Sequence, residues 1–518
     1  MLQIRNRLQE KGYINKHDEN NRFEYFENHF GELGLFAVVI EHDYRDRQYL
    51  EDHSRYYSRC FKHYSRRCAR LHFFIGNNEI AFDKPTFESY VLGSLDENEV
   101  KNVESTYAGF VTIKPIPKRV FGKTCVKTFP QEGKYGSTRH YTTIRPYKIT
   151  LFGRDLTINS VAFQEQDHQV FACATAALWH TFQVTSKLFK HLVPSPYEIT
   201  VQATGMKRAG QAGREGLTSE QIVNALSKHD MTPLVLELHT KSELQATVNA
   251  YLKAKIPIII GGTIFEKHEN GQFQDTKERH AITALGYNKK EEDTEIVEYV
   301  FLNSMQPSNQ IAFYSKSALI EKIYVHDDQI GAFVSLTIEE GIKDNDGNIK
   351  LLDKNNKETS EKHIILTCKD RPNTIMGELL LIIPLYHKIR LPFKTIINEI
   401  IASLNTECGY NSPDLTVKAQ WDIYLTSIDQ FRKTIVQRRK DNIYNFKKDE
   451  GEDFTNEILL PILTSSLPKY IWAADCYWYD DETAKSKYKL EYSLYFDATD
   501  MDNGRQELKK VILRNLKE

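Results

Sequence analysis

The sequence predicts a mixed α+β protein built from several domains. Its 518 residues are more than one core usually organises, because chains longer than about 250–300 residues divide into domains. Segments with a helical spacing of apolar residues are followed by short runs of β-branched and aromatic residues between glycines and prolines. Changes in this pattern along the chain predict three α+β regions, residues 1–155, 156–342 and 343–518.

The N-terminal region, residues 1–155, opens with polar, helical sequence and then becomes rich in β-type residues. YAGFVTIKPIP and HYTTIRPYKITLFG combine β-branched and aromatic residues with glycine and proline. Five basic residues in this region recur at steps of three and four, which predicts one stripe on a helix near residues 55–70. They are Arg55, Arg59, Lys62, Arg66 and Arg70.

The predicted basic stripe has two interpretations. Tyr56, Phe61 and Tyr64 are interleaved with it, so its cations could bind phosphates while the rings stack on bases. Helices ordinarily turn their charged side chains to solvent, opposite the core, and this is the more common origin of such a stripe. A nucleic acid or a regulatory protein is therefore the partner in our second hypothesis for this chain.

The middle region, residues 156–342, places its helices before its strands. One apolar helix is predicted to begin near Cys173. Two further helices begin at sequences that fit capping boxes, formed by Thr218 with Gln221 and by Ser242 with Gln245. Strands are predicted after these helices, at residues 256–260, 280–287, 296–302 and 323–325.

The C-terminal region begins with a polar, turn-rich segment. KDNDGNIKLLDKNNKETSEK, residues 343–362, has the composition of a surface loop or linker, and we place a domain boundary there. An apolar strand, the helical sequence FKTIINEIIASL and aromatic strands such as KYKLEYSLYFDATD follow it. They predict a third α+β domain, although nothing in them identifies a ligand.

The composition indicates in which compartment the protein resides and which partners it lacks. The 68 basic residues nearly balance the 70 acidic ones, so no whole-chain charge attracts nucleic acid or membrane. Seven scattered cysteines favour free thiols in a reducing compartment. The first residues lack the apolar stretch of a secretory signal, and the longest apolar run is too short to span a bilayer. We therefore expect a cytoplasmic protein with no membrane partner.

Cys173 is the first residue of the predicted helix CATAALWHTF. Unpaired N–H groups and the helix dipole at this end favour a thiolate, which is a nucleophile. An isolated cysteine here would more often be a buried structural residue. Two other residues favour catalysis. Gln166, seven residues earlier, can donate to an oxyanion together with the Cys173 N–H, and His280 begins the alternating strand HAITALGYN.

These motifs together resemble the papain-like cysteine peptidases in their C39-like form. The matching sequence is Gln-x6-Cys-Ala-x-Ala-Ala-Leu-Trp, followed by helical sequence, an apolar strand and His-Ala-Ile-Thr-Ala-Leu-Gly-Tyr, and it covers the middle third of the chain. The resemblance implies a papain-like fold for residues 156–342, flanked by two other α+β domains. It also implies that Cys173 attacks, His280 is the general base and Gln166 supplies the oxyanion hole.

Two positions stay open within this resemblance. Papain itself has a spacing from Gln to Cys that is one residue shorter, so Gln164 and Gln169 are alternative oxyanion donors. The residue that orients the imidazole is Asp327 in HDDQIGA or Asn303 in FLNSMQ. We favour Asp327 because the C39-like signature His-Asp-Asp-x-x-Gly-Pro matches over more residues, although Ala332 replaces its proline.

A reactive cysteine, a base, an orienting residue and an oxyanion donor predict acyl transfer. The expected protein is a cysteine peptidase or related amide hydrolase that acts on a protein or peptide through a thioester. The sequence has no paired CxxC, HExxH, Rossmann or P-loop motif, so we predict no metal and no cofactor. The alternative is a catalytically silent papain-like scaffold that binds nucleic acid or protein through the basic helix.

Overall fold

The protein was analysed as a computed structural model that contains both helices and strands, which confirms the predicted α+β class. No helix in the described part of the chain is both long enough and apolar enough to cross a bilayer. The described residues are 2–14, 21–76, 83–132, 137–166, 172–205, 216–290, 314–352, 361–397, 400, 419–441, 443–444, 455–479, 488–499 and 510–514.

Two compact units share the chain, and neither is a single continuous stretch. The first unit comprises Met1–Leu238, Ile256–Asn288 and Lys322–Pro384, and the second comprises His239–Lys255, Lys289–Glu321 and Leu385–Glu518. This division differs from the three consecutive regions predicted from the sequence. The chain leaves and re-enters each unit, and changes in composition along a sequence carry no record of such returns.

The first unit begins with five helices and a four-stranded antiparallel sheet. The helices are α1 (Leu2–Glu10), α2 (Asn21–Glu32), α3 (Arg47–Arg55), α4 (Lys84–Leu92) and α5 (Glu97–Ser105), and the sheet consists of β1 (Leu35–Tyr44), β2 (Cys68–Ile75), β3 (Tyr107–Ile113) and β4 (Phe121–Val126). After β5 (Ser137–His140), a hairpin of β6 (Arg145–Leu151) and β7 (Arg154–Ser160) buries every second side chain of β7, as a half-buried strand should.

A second group of helices follows. It comprises α6 (Cys173–Phe189), α7 (Pro196–Thr204) and α8 (Ser219–Ser227), and strand β8 (Met231–Glu237) comes next. The predicted capping box of Thr218 and Gln221 is confirmed at the start of α8. The box predicted at Ser242 and Gln245 is wrong by two residues, because α9 (Lys241–Leu252), in the second unit, is capped by Thr240 and Glu243.

A nine-stranded sheet completes the first unit. Besides β5 and β8 it contains β9 (Ile258–Lys267), β10 (Phe273–Lys290), β12 (Ile320–Asp327), β13 (Gly331–Lys343), β14 (Ile349–Leu351), β15 (Lys362–Cys368) and β16 (Thr374–Tyr386), whereas β11 (Tyr314–Ser315) lies in the second unit. The order is β12-β10-β14-β13-β15-β16-β8, and β9 pairs with both β10 and β16. Predicted strands at 256–260, 280–287 and 323–325 overlap β9, β10 and β12, and the one at 296–302 lies outside the described residues.

The core of the first unit contains residues from both sides of the predicted boundary at residue 155. One buried cluster joins Tyr90 of α4 to Leu178 of α6 and Ile259 of β9. A second joins Phe26 of α2 to Leu285 of β10. The helix that begins at Cys173 and the strand that carries His280 therefore pack into cores that the N-terminal residues help to form.

The second unit contains a five-stranded sheet with helices. Its strand order is β11-β17-β18-β19-β20, with β11 parallel to β17 and the other pairs antiparallel. The further elements are β17 (Ala419–Ser427), α10 (Ile428–Lys440), α11 (Thr455–Thr464), β18 (Tyr470–Tyr479), β19 (Tyr488–Asp497) and β20 (Lys510–Arg514). Arg438 of α10 and Asp475 of β18 form a buried ion pair beside the sheet.

The predicted basic helix near residues 55–70 is wrong. α3 ends at Arg55, a 3-10 turn spans Tyr57–Arg59, and β2 begins at Cys68. The spacing of the cations is helical, but CARLHFFI is buried along almost its whole length and pairs with β1 and β3 as a strand. The five cations consequently lie on a helix end, a turn, a loop and a strand.

Candidate active site

Cys173 is the first residue of α6 and is half-buried. The residue before it, Ala172, occupies the N-cap and makes no side-chain hydrogen bond to the first turn. An alanine N-cap costs about 1 kcal/mol relative to serine or aspartate. It also leaves the capping place without a competing oxygen, so first-turn N–H groups can face a negatively charged atom at Cys173.

Strand β10 brings His280 to this helix. Thr283, three residues further along β10, donates from Oγ1 to the carbonyl oxygen of Ala177 in α6 over 2.8 Å. The His280 imidazole forms a side-chain hydrogen bond with the Cys173 thiol. Two residues more than a hundred positions apart in sequence are thus in direct contact.

Asp327, the last residue of β12, contacts the other side of the His280 ring. His280 Nε2 lies 3.0 Å from Asp327 Oδ1, and both side chains are buried. The same oxygen accepts the backbone N–H of Gln329 over 2.8 Å. Because a carboxylate only accepts, Nε2 carries the proton of this hydrogen bond, and Nδ1 is the nitrogen available to the Cys173 thiol.

The charges of this pair reinforce each other. Burial disfavours a protonated His280, but the Asp327 charge, its hydrogen bond, the Cys173 thiol and Asp328 outweigh burial and raise the pKa of His280 well above its usual value. Burial likewise disfavours an ionised Asp327, yet His280, Arg371 and the Gln329 N–H together lower the pKa of this carboxyl. Each partner therefore stabilises the charged form of the other.

The turn after Asp327 is held from two sides. His326 lies 3.0 Å through Nε2 from the carbonyl oxygen of Val161 and accepts the N–H of Phe333 through Nδ1 over 3.1 Å. Burial lowers the pKa of His326 to about 3, so it stays neutral and acts as an anchor. Gly331 has a spatial role, because a Cβ there would lie 2.2 Å from the Tyr25 ring of α2.

Sequence reasoning missed Gln329 and Arg371. Arg371 donates from Nη1 to Gln329 Oε1 over 2.8 Å and from Nη2 to the Gln329 carbonyl over 2.9 Å. With Oε1 held in this way, the amide nitrogen of Gln329 faces His280 Nδ1 at 3.4 Å. The HDDxxG motif contains Gln329, so the motif could have suggested it, but only the fold brings Arg371 from the loop between β15 and β16.

Gln166 is buried at the end of the described segment that precedes α6. Two residues earlier, the backbone N–H of Gln164 lies 3.1 Å from His180 Nε2 of α6, which fastens this segment to the helix. The connection from Gln166 to Ala172 lies outside the described residues, as do Gln169 and Asn303. The choice of Gln166 over the other glutamines therefore remains a prediction.

His280, Asp327 and Asp328 could also supply ligands to a metal ion. One ligand atom from each lies within 4.8 Å of the other two, and a nitrogen with carboxylate oxygens is a donor set that zinc accepts. A metal on His280 Nε2 would replace the proton shared with Asp327. Metal binding and the hydrogen bond between His280 and Asp327 therefore exclude each other.

The five cations of the predicted stripe differ in their surroundings. Arg70 is buried, 2.7 Å from Glu41 Oε2, and donates to the Thr150 carbonyl over 2.8 Å, so it cannot reach a phosphate. Arg55 lies 3.0 Å from Glu198 Oε1. The remaining three project into solvent, namely Arg59, Lys62 and Arg66.

Comparisons with known proteins add no family or relative. No protein-family model matches the chain, and no curated protein matches it.

Proposed function

We propose that this protein is a cysteine peptidase or related amide hydrolase that uses Cys173, His280 and Asp327. The observation that carries the proposal is the buried hydrogen bond of 3.0 Å between His280 and Asp327, on an imidazole whose pKa the Cys173 thiol also raises. A thiol at a helix start, a buried imidazole and an orienting carboxylate are the parts that nucleophilic acyl transfer requires.

The reaction has two halves. His280 Nδ1 takes the thiol proton, and the Cys173 sulfur attacks the amide carbonyl carbon to form a tetrahedral oxyanion. The C–N bond then breaks, the amine leaves with the proton from His280, and a thioester remains. A water molecule gives its proton to His280 and attacks the thioester, which releases the acid and restores the thiol. Asp327 holds the ring orientation and favours the imidazolium throughout.

The oxyanion needs N–H donors near the sulfur. In the proposed mechanism these are the Cys173 backbone N–H at the start of α6 and the side-chain amide of Gln166. The Gln329 amide is a second source, because Arg371 already turns its nitrogen toward His280. The similarity to C39-like, papain-like enzymes in the sequences around Cys173, His280 and Asp327 supports the same roles.

We also propose a papain-like arrangement around this site and a reducing, cytoplasmic location. The six cysteines in the described part of the chain are free thiols, as expected where disulfides are reduced. The alternative, a silent scaffold that binds through a basic helix, lacks the helix that it requires. Arg55 to Arg70 form no single helical stripe.

Thiol reactivity and cleavage test the proposal together. The full chain is treated at neutral pH with limiting iodoacetamide, and labelled cysteines are mapped by mass spectrometry. Cys173 should react first, while Cys368 should react slowly because burial raises its pKa to about 11. A peptide library derived from cellular protein should be cleaved by the wild type but not by Cys173→Ala.

Cys368→Ala is the matched control, because it removes another half-buried thiol without touching the proposed nucleophile. It should cleave the library as the wild type does. Equal alkylation of Cys173 and Cys368, or cleavage that persists in Cys173→Ala, would contradict the proposed function.

A further inference from the structure

An exposed basic segment runs from the last residue of the 3-10 turn to β2. We call residues 59–67 the Phe61 loop. Its sequence, RCFKHYSRR, contains four Lys or Arg residues and no Asp or Glu. Phe61 is 109% exposed, so its ring makes almost no contact with the rest of the chain. Among the large hydrophobic side chains in the described part of the chain, that of Phe61 is the most exposed.

The base of the Phe61 loop is firmly held. Tyr49 donates from its hydroxyl to the Ser65 carbonyl over 2.7 Å, and His53 Nε2 lies 3.1 Å from the Tyr64 carbonyl. The rings of Tyr57 and Tyr64 pack with their centroids 4.9 Å apart. The residues on both sides of Phe61 are thus held in place by buried contacts, while Phe61 itself is exposed.

The anchoring cluster also reaches the helix of the candidate active site. Tyr49 and Tyr57 pack in one buried cluster with Ala176, which lies three residues after Cys173 in α6. Residues three apart on a helix are neighbours on its surface. The buried cluster beneath the Phe61 loop therefore lies next to the first turn of α6, which carries the proposed nucleophile.

We propose that the Phe61 loop is a recognition surface for an acidic polypeptide segment that carries an apolar side chain. The segment belongs to the substrate of the site at Cys173, so this inference rests on the proposed function. Phe61 packs against the apolar side chain, and Arg59, Lys62 and Arg66 attract the carboxylates around it. Arg67 contributes less, because it already lies 3.3 Å from Asp43 Oδ1.

A polypeptide fits this surface better than a nucleic acid does. Proteins that bind single strands combine a charged groove with several successive aromatic platforms, whereas this loop offers one fully exposed ring. Burial of one phenylalanine changes a binding constant by roughly tenfold to hundredfold. The cations add salt-dependent attraction to carboxylates.

Binding is measured with the full chain carrying Cys173→Ala, so that no probe is cleaved. The probe is a fluorescein-labelled peptide of alternating Glu and Leu, followed by fluorescence anisotropy at several NaCl concentrations. Phe61→Ser should weaken binding and raise the Kd roughly tenfold. The triple variant R59E/K62E/R66E should raise the Kd at least as much, and its Kd should change less with NaCl concentration.

The controls match these variants in size and charge. Leu192→Ser removes another exposed apolar side chain, at 88% exposure, and K101E/K148E/K228E reverses three exposed lysines elsewhere. Both should bind the peptide as Cys173→Ala alone does. A peptide with Lys in place of Glu should bind weakly to the Cys173→Ala chain, and more tightly once R59E/K62E/R66E reverses the charge of the loop.

Two results would overturn the recognition surface. One is a Kd for the acidic peptide that the loop variants leave unchanged, and the other is oligothymidylate that binds more tightly than the peptide with the same loop dependence. Loop-dependent peptide binding without cleavage by the wild type would instead support the surface and contradict the proposed hydrolase. If the wild type cleaves peptides and the loop variants leave KM unchanged, the hydrolase would be supported and the recognition surface contradicted.

Discussion

Two ion pairs with a buried carboxylate, one from each unit, are built differently. In the first unit His280 Nε2 lies 3.0 Å from Asp327 Oδ1. In the second, Arg438 donates from Nη1 to Asp475 Oδ1 over 3.0 Å and from Nη2 to the other oxygen. Ser493 also donates to Asp475, over 2.6 Å.

The difference between the pairs lies in which protons can move. Burial disfavours the charge on Arg438, but Asp475 outweighs burial and raises the pKa of the guanidinium further above its ordinary value, so the pair is permanent. His280 can release its proton and has a second nitrogen directed at a thiol. The Arg438 pair is thus suited to stability and the His280 pair to proton transfer.

Removal of the carboxylate should separate the two pairs most clearly. Asp327→Asn should lower kcat/KM roughly 10³- to 10⁴-fold, because the imidazole loses its orientation and its favoured protonation. The alkaline limb of the pH profile should move to lower pH, since Asp327 is what raises the pKa of His280. Asp475→Asn, the matched change in the second unit, should leave the limb in place. An unmoved limb in Asp327→Asn would contradict this assignment.

Removal of the cation should show its largest effect in the second unit. Arg438→Met leaves Asp475 buried without its partner and should lower the free energy of unfolding by about 3–5 kcal/mol. Chemical denaturation followed by fluorescence would measure this loss. The double variant R438M/D475L should lose less than the single one, because no charge is left buried. A double variant as unstable as Arg438→Met would show that the pair itself stabilises the unit.

Arg371 sharpens the comparison from outside the His280 pair. Arg371→Met frees Gln329 and removes a charge that lowers the pKa of Asp327. We expect kcat to fall about 100-fold with little change in KM, because the substrate is still bound but the ring and turn are less well held. Gln329→Ala combined with Arg371→Met should be less than additive, since the two side chains act through one contact. If the two losses in kcat were fully additive in free energy, Arg371 and Gln329 would act independently and the prediction would be wrong.

The smallest effect concerns a histidine that stays neutral. Burial lowers the pKa of His29 to about 4, so below pH 6.5 the unfolded chain binds a proton that the folded chain does not. Stability from this residue is therefore complete above pH 6.5 and falls as the pH decreases toward 4, by about 2 kcal/mol at pH 5.

His29→Gln tests that slope. Glutamine can still donate to the Lys127 carbonyl, which lies 2.9 Å from His29 Nε2, but it does not titrate. Unfolding free energies at pH 7 and pH 5 should differ less in His29→Gln than in the wild type. An unchanged difference would mean that other groups cause the loss of stability in acid.

Local structure could be predicted from the sequence where a motif allowed only one interpretation. Thr218 and Gln221 form the predicted capping box, and His280 lies in the predicted strand. HTKSELQ contains two overlapping boxes, and the motif cannot choose Thr240 over Ser242. Arg371 was invisible because its contact with Gln329 spans 42 positions, and no local pattern reports such a distance.

The basic stripe shows a different limit of sequence reasoning. Arg55 and Arg70 have helical spacing by coincidence, whereas the apolar residues from Cys68 onward follow a strand. Two criteria conflicted, and burial of β2 in a sheet outweighed the spacing of surface charges. The two-unit division was equally hidden, because each unit gathers segments that are distant in sequence.

The contact between Tyr25 and the turn at Gly331 has a consequence for biosynthesis. The Tyr25 hydroxyl donates to the Ala332 carbonyl across 307 positions. At roughly 5–20 residues per second, a nascent chain carries Tyr25 for tens of seconds before its partner is made. Arg371 follows later still. The turn that holds Asp327 therefore gains its contacts from both sides only after Arg371 has been synthesised.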